Sequence, residues 1–129
     1  MANITGDNLD NTIAGTAGDD SIEGLAGNDI ITAASGNDTV LAGADNDSVE
    51  GQSGDDSILG EGGADILNGG LGNDFIDGGT ESDTIHAHSG DDTLNGGAGN
   101  DTISGNATDD GNDVIDGGSG DDRIEDYEG

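Results

Sequence analysis

An aliphatic residue returns at every ninth position of this chain. Ile13, Ile22, Ile31, Val40, Val49, Ile58, Leu67, Ile76, Ile85, Leu94 and Ile103 follow one another at that spacing. Ile4 fits one period earlier, and Ile115 and Ile124 resume the series after three extra residues. An amphipathic helix would repeat its apolar residues every three to four positions, and a long strand every two. A period of nine fits neither, and self-similarity at so short a fixed period is the mark of a solenoid.

With the aliphatic residue as position eight, units such as Gly69–Asp77 and Gly96–Ser104 fall into one frame. Position six is Asp in every unit except the first, where it is Asn11; position five is Asn or Asp except at Ala64 and Ser82. Position four is Gly except at Leu9, Asp45 and Glu81. The Gly-rich positions one to four read as a tight turn, because glycine enters left-handed conformations freely. Asx at position five reads as support for that turn through local side-chain hydrogen bonds. Positions seven to nine read as a three-residue strand with position eight on one face and its neighbours on the other. The long unit Gly105–Asp116 should bulge around Ala107–Asp109 and regain the frame at Gly111–Asp113.

Composition sets a problem that this pattern must solve. Thirty acidic residues face one base, Arg123, for a net charge of −29, and only 29% of residues are hydrophobic. An unpatterned chain of that kind stays disordered, since it buries too little apolar surface to offset chain entropy and self-repulsion. A divalent cation from outside would both neutralise the acids and add folding energy. Nucleic acids and anionic membranes are poor partners for such a surface, which lacks the bases that meet phosphates. Without cysteine there are no disulfides or thiolate sites. Met1–Gly15 has neither the basic nor the apolar region of a secretory signal, and no apolar run is long enough to span a bilayer. Export would need another route.

These residues resemble the RTX (repeats-in-toxin) nonapeptide family, with its pattern G-G-x-G-x-D-x-U-x where U is large and aliphatic. The resemblance covers about Asn3–Glu125 and implies an all-β, right-handed parallel β-roll, two nonapeptides per coil and about seven coils, as a single domain over residues 1–129. It also implies Ca²⁺ ions between turns of neighbouring coils. Each internal ion would take the position-two and position-four carbonyls and the Asp of one turn. The turn eighteen residues on would add its position-one and position-three carbonyls and its own Asp. Carried over here, Gly70, Gly72 and Asp74 would meet Ala87, Ser89 and Asp92. On the other side Gly79, Glu81 and Asp83 would meet Gly96, Ala98 and Asp101. The remaining metal-binding aspartates would be Asp20, Asp29, Asp38, Asp47, Asp56, Asp65, Asp113 and Asp122.

The chemistry agrees with the resemblance. Ca²⁺ is a hard cation that takes six to eight oxygens, backbone carbonyls included, whereas Mg²⁺ demands stricter octahedral geometry. Asn11 lacks the charge, so the first site should be weak or absent. Asp45 and Glu81 should strain their turns, the bulge should disturb the sites at Asp113, and the end sites at Asp20 and Asp122 should bind incompletely.

Other features read plainly. His86 and His88 form a close pair without a third ligand and read as solvated. Asp91–Asp92 belongs to the turn pattern rather than to acid–base catalysis, and the glycosylation-like triplets at Asn37 and Asn100 are generated by the repeat. No EF-hand spacing is present. Leu41, Leu59 and Phe75 should face outward on one sheet, and Ile30 and Ile66 on the other. They read as tolerated surface aliphatics, with a partner-contact stripe as the sharper alternative. The pattern runs to Ile124 with only a short acidic tail, Asp126–Gly129, and no evident C-terminal export signal, which reads as a piece of a longer protein. The expected function is a calcium-binding module of a secreted, extracellular bacterial protein, exported by a type I route, which folds cooperatively on binding several ions. End-to-end self-association through uncapped coils is the alternative. Ice or polysaccharide recognition and enzyme activity fit less well, for want of a Thr array, of bases and aromatics, and of any deep pocket.

Overall fold

The computed structural model describes residues 1–105 and 111–125. It is all-β, a parallel solenoid of about seven coils with two strands per coil. The strands are β1 (Asn3–Thr5), β2 (Thr12–Ala14), β3 (Ser21–Ala26), β4 (Ile30–Ser35), β5 (Thr39–Ala44), β6 (Ser48–Ser53) and β7 (Ser57–Gly62). They continue as β8 (Ile66–Leu71), β9 (Phe75–Thr80), β10 (Thr84–Ser89), β11 (Thr93–Ala98), β12 (Thr102–Ser104), β13 (Val114–Asp116) and β14 (Arg123–Glu125). Odd-numbered strands make one seven-stranded sheet and even-numbered strands the other. Among the described residues no helix is long and apolar enough to cross a membrane.

Each strand from β1 to β10 pairs in parallel with the strand eighteen residues on, so every position meets its own kind: Val40 pairs with Ile58, and Ile58 with Ile76. The inward side chains of the two sheets therefore stack into two adjoining columns. Position eight from Ile22 to Ile103 is at most 1% exposed, and Ala33, Ala42 and Ala87 at position one are fully buried beside it. This column is nearly the whole apolar core, which explains how a chain so poor in hydrophobic residues has one. The expected bulge at Ala107–Asp109 lies outside the described residues. On either side of it the register steps by twenty-one residues, Leu94 pairing with Ile115 and Ile103 with Ile124.

Two expectations need correction. The strands β3 to β11 have six residues rather than three, because positions one to three of the following unit continue the ladder, as in Leu25 with Gly43 and Ala26 with Ala44. Position one carries at most a methyl group and points inward, so the strand runs on without crowding the core. The cost appears at position two, where φ is positive even for Leu25 (87°), Ala34 (89°), Gln52 (79°), Glu61 (73°) and His88 (80°). Such conformations cost L-residues roughly 1–2 kcal/mol each. The second correction concerns position five. Its side chains bond between coils rather than within their own turn: Asn37 N–H donates to Asp19, Asp55 N–H to Asn37, and Asn73 N–H to Asp55, at 2.8–3.0 Å.

Candidate metal centre

The position-six aspartates stand in two rows, one along each edge of the roll. They are nearly inaccessible, between 1% and 3% exposed from Asp20 to Asp101. One carboxylate oxygen of each binds the coil before it. Asp20 N–H donates to Asp38 Oδ1, Asp38 N–H to Asp56, Asp56 N–H to Asp74, and Asp74 N–H to Asp92, at 2.7–2.9 Å. On the opposite edge the same bond links Asp29 to Asp47, Asp47 to Asp65, Asp65 to Asp83, and Asp83 to Asp101. The rows cross the irregular unit intact, since Asp92 donates to Asp113 and Asp101 to Asp122, both at 3.0 Å. The inter-coil hydrogen bond of this ladder is therefore present at Asp113 and Asp122.

The second carboxylate oxygen is the decisive feature. Oδ2 of Asp29, Asp38, Asp47, Asp56, Asp65, Asp74, Asp83 and Asp101 is buried with no hydrogen-bond partner. A buried acceptor left unpaired costs about 1–3 kcal/mol, and more when charged. Burial accordingly pushes the carboxyls of Asp47, Asp56 and Asp83 up to about 6. Asp65 and Asp74 are pushed up to about 7, again chiefly by burial and then against the bonded N–H of the preceding coil. Asp38 is raised for the same reason. Arg123, the chain's one basic side chain, pairs with Glu125 rather than with either row.

The free oxygens converge with backbone carbonyls. A Cβ built at Gly60 would lie against Asp65 Oδ2 and, at 2.5 Å, the Gly78 carbonyl oxygen; at Gly78 it would meet Asp83 Oδ2 and, at 2.7 Å, the Gly96 oxygen. At Gly69 it would meet Asp74 Oδ2 and, at 3.0 Å, the Ala87 oxygen. At these three turns the free aspartate oxygen and the position-one carbonyl of the coil eighteen residues on thus approach the same point beside the glycine, and the chain's one Arg is paired elsewhere. Of the expected ligand sets, the structure brings together Asp74 with Ala87 and Asp92, and Asp83 with Gly96 and Asp101. The Ser89 carbonyl accepts the Gly72 N–H at 2.9 Å, and Gly70 pairs with His88 in the ladder. Gly79 pairs with Gly97, and Ala98 with Thr80. Glu81, at φ 72°, aims its carboxylate at the Gly63 N–H, 3.1 Å away, and Asp45 reaches Gly27 N–H likewise at 3.2 Å. Among the described residues no three His, Cys, Asp or Glu side chains converge on one point. A centre here draws on two carboxylates and main-chain oxygens.

The model of the RTX calcium-binding nonapeptide repeat matches this chain in four copies, over residues 5–40, 41–76, 77–110 and 107–125. The chain belongs to the RTX nonapeptide-repeat family. The comparison with curated proteins gives no match. The repeat of this family is a calcium-binding one, and the donor set fits such an ion: hard oxygens only, a charge deficit at each turn, and an unpaired acceptor that a cation would satisfy.

The first two RTX turns are built differently, in ways the repeat pattern hides. Asn11 Oδ1 accepts the Asp7 N–H at 2.7 Å, and Asp7 Oδ1 accepts the Asn11 amide and the Leu9 N–H. Asp20 Oδ2 is not orphaned: Thr16 donates both its N–H, at 2.6 Å, and its hydroxyl, at 2.8 Å. The Thr16 N–H, then the Ala2 N–H on Oδ1, and after them the Thr16 hydroxyl hold the Asp20 carboxyl below the usual range. Thr16 was not among the residues singled out from sequence. Its signal was nonetheless there, as the one hydroxyl residue at position two.

Proposed function

We propose that this RTX roll is a calcium-dependent folding module of a secreted protein. The observation that carries the reading is the pair of buried aspartate rows, each with one oxygen bonded and the other facing a carbonyl with no counter-charge. Ca²⁺ would be held by Asp29, Asp38, Asp47, Asp56, Asp65, Asp74, Asp83, Asp92 and Asp101 with main-chain oxygens of the turns between them. Asp113 and Asp122 would serve the last coils. When bound, the ion supplies the positive charge that these rows lack. Asp20 and Asn11 would contribute least, because their oxygens are already satisfied by Thr16 and Asp7.

Neighbouring coils share aspartates, so binding at one turn orders the next and the transition should be cooperative. Metal binding and folding then become one event. At low calcium the self-repelling chain stays open, and at the millimolar calcium outside cells it closes; extracellular calcium modules commonly bind at ~10⁻⁴–10⁻³ M. Far-UV circular dichroism during a Ca²⁺ titration from EDTA, with Mg²⁺ as control, tests this. A cooperative coil-to-β transition in Ca²⁺ alone is expected. A β spectrum already complete in EDTA and indifferent to Ca²⁺ would sink the proposal.

A further inference from the structure

The aspartate rows leave one pair of metal-binding side chains unused. β10 carries both of the chain's histidines on its outer face: Ala87 between them is fully buried, while His88 is exposed and His86 partly so. Their ring centroids lie 6.2 Å apart with the planes inclined at 44°. On β8 they face Asn68 and Gly70, and one strand further, on β6, Asn68 and Gly70 face Glu50 and Gln52. Gly70 has no side chain, so a notch of about 230 Å³ opens over it, lined by Glu50, Gln52, Asn68, Gly69, Gly70 and His88.

We propose that His86 and His88 form a surface site for a borderline transition-metal ion, Cu²⁺, Ni²⁺ or Zn²⁺, separate from the turns. Two imidazole nitrogens bound at about 2.0–2.1 Å to one ion lie roughly 3 Å apart. Rotation about the side-chain bonds brings rings at 6.2 Å into that arrangement while the strand stays fixed. Imidazole suits these ions, with Cu²⁺ favoured among them, whereas Ca²⁺ prefers oxygen and leaves the pair free. Water fills the remaining positions, since no third His, Cys, Asp or Glu side chain joins the pair among the described residues. The strong negative charge of the chain raises the local concentration of any cation. The inference needs the folded strand but not the identity of the ion in the turns.

The test uses the full chain in saturating Ca²⁺, titrated with Cu²⁺ by calorimetry and by electron paramagnetic resonance. The comparison is the double variant His86→Ser, His88→Gly, whose new residues already occupy the same register positions at Ser104 and Gly70. Unchanged circular dichroism in Ca²⁺ certifies its fold. The expected result is one Cu²⁺ per chain with nitrogen superhyperfine structure from two imidazoles, and affinity at least about tenfold weaker in the double variant. Equal Cu²⁺ uptake by the double variant, or a spectrum showing oxygen ligands alone, overturns the site. A repeat with His86→Ser alone should also lose about tenfold, since one imidazole gives no chelate.

Discussion

Replacing Asp74 by Asn should move the roll in opposite directions depending on the ion. Asp74 Oδ1 accepts the Asp56 N–H, and Asn retains that oxygen. Its Oδ2 is buried, unpaired and close to where the Ala87 carbonyl oxygen approaches Gly69. Asn puts an amide donor there, turning two facing acceptors into a donor and an acceptor. The Asp74 carboxyl is pushed from 3.8 up to about 7, a gap of about 3 units. At 1.36 kcal/mol per unit that bounds the gain from removing the charge at about 4 kcal/mol. Solvent screening at a turn near the surface reduces it to about 1–2 kcal/mol. Without calcium, then, Asp74→Asn should stabilise the roll by about 1–2 kcal/mol at pH 8. With calcium it should weaken folding, because two shared turns lose a carboxylate. The metal-free arm is read from the concentration of trimethylamine N-oxide needed to fold the chain in EDTA, since that osmolyte favours burial. The metal arm is read from the Ca²⁺ midpoint by circular dichroism. A lower osmolyte midpoint with a higher Ca²⁺ midpoint is expected. Destabilisation in EDTA would show that the unpaired oxygen costs nothing and that the reasoning from burial is wrong.

In EDTA the roll should be more stable at pH 5 than at pH 8. The folded carboxyls of Asp47, Asp56, Asp65, Asp74 and Asp83 lie above their ordinary value of 3.8, at about 6 to 7, so the folded chain holds protons more tightly. Stability is therefore gained below about pH 4 and lost as pH rises through 6 to 7, and in saturating Ca²⁺ the trend should reverse as protons compete with the ion. Osmolyte midpoints across pH 4–8 check the sign, and a flat profile would contradict it. Ile58→Ala, in the fully buried column between Val40 and Ile76, should cost about 2–5 kcal/mol in urea unfolding at saturating Ca²⁺. Thr16→Val keeps the N–H bond to Asp20 but deletes the hydroxyl bond, which should raise the Asp20 carboxyl as followed by NMR titration. An unmoved Asp20 titration would show that the hydroxyl bond is idle.

The coil, its two sheets and the aliphatic column were legible because the register is written into the period: each residue meets its copy eighteen positions away, and copies are alike. The two buried aspartate rows were legible in kind for the same reason, as Asp recurs at position six in every unit but the first. Strand length was not. The frame marks positions one to three as glycine-rich, and nothing local reveals that Leu25, Gln52 or Glu61 will accept a left-handed conformation to prolong a ladder. Nor does sequence show which way the position-five side chains turn. A local bond and a bond to the next coil use the same Asn, and only the stacked geometry selects the second. The departures at Asn11 and Thr16 stood in plain view, but their effect depends on which oxygen each leaves free.

The alternation of sheets has a consequence for how such a chain can change length. Delete Gly51–Leu59, and Asp38 N–H would meet Asp65 in place of Asp56, which is no chemical change at all. The outer faces fare otherwise: Leu41, now beside Leu59, would stand beside Asn68, because every later strand would trade sides. The edges are thus indifferent to the gain or loss of one unit, while the faces keep their pattern only when units come or go in twos. Ion capacity can be inherited in steps of nine residues, but a surface worth keeping, such as the histidine strand, must be copied in steps of eighteen.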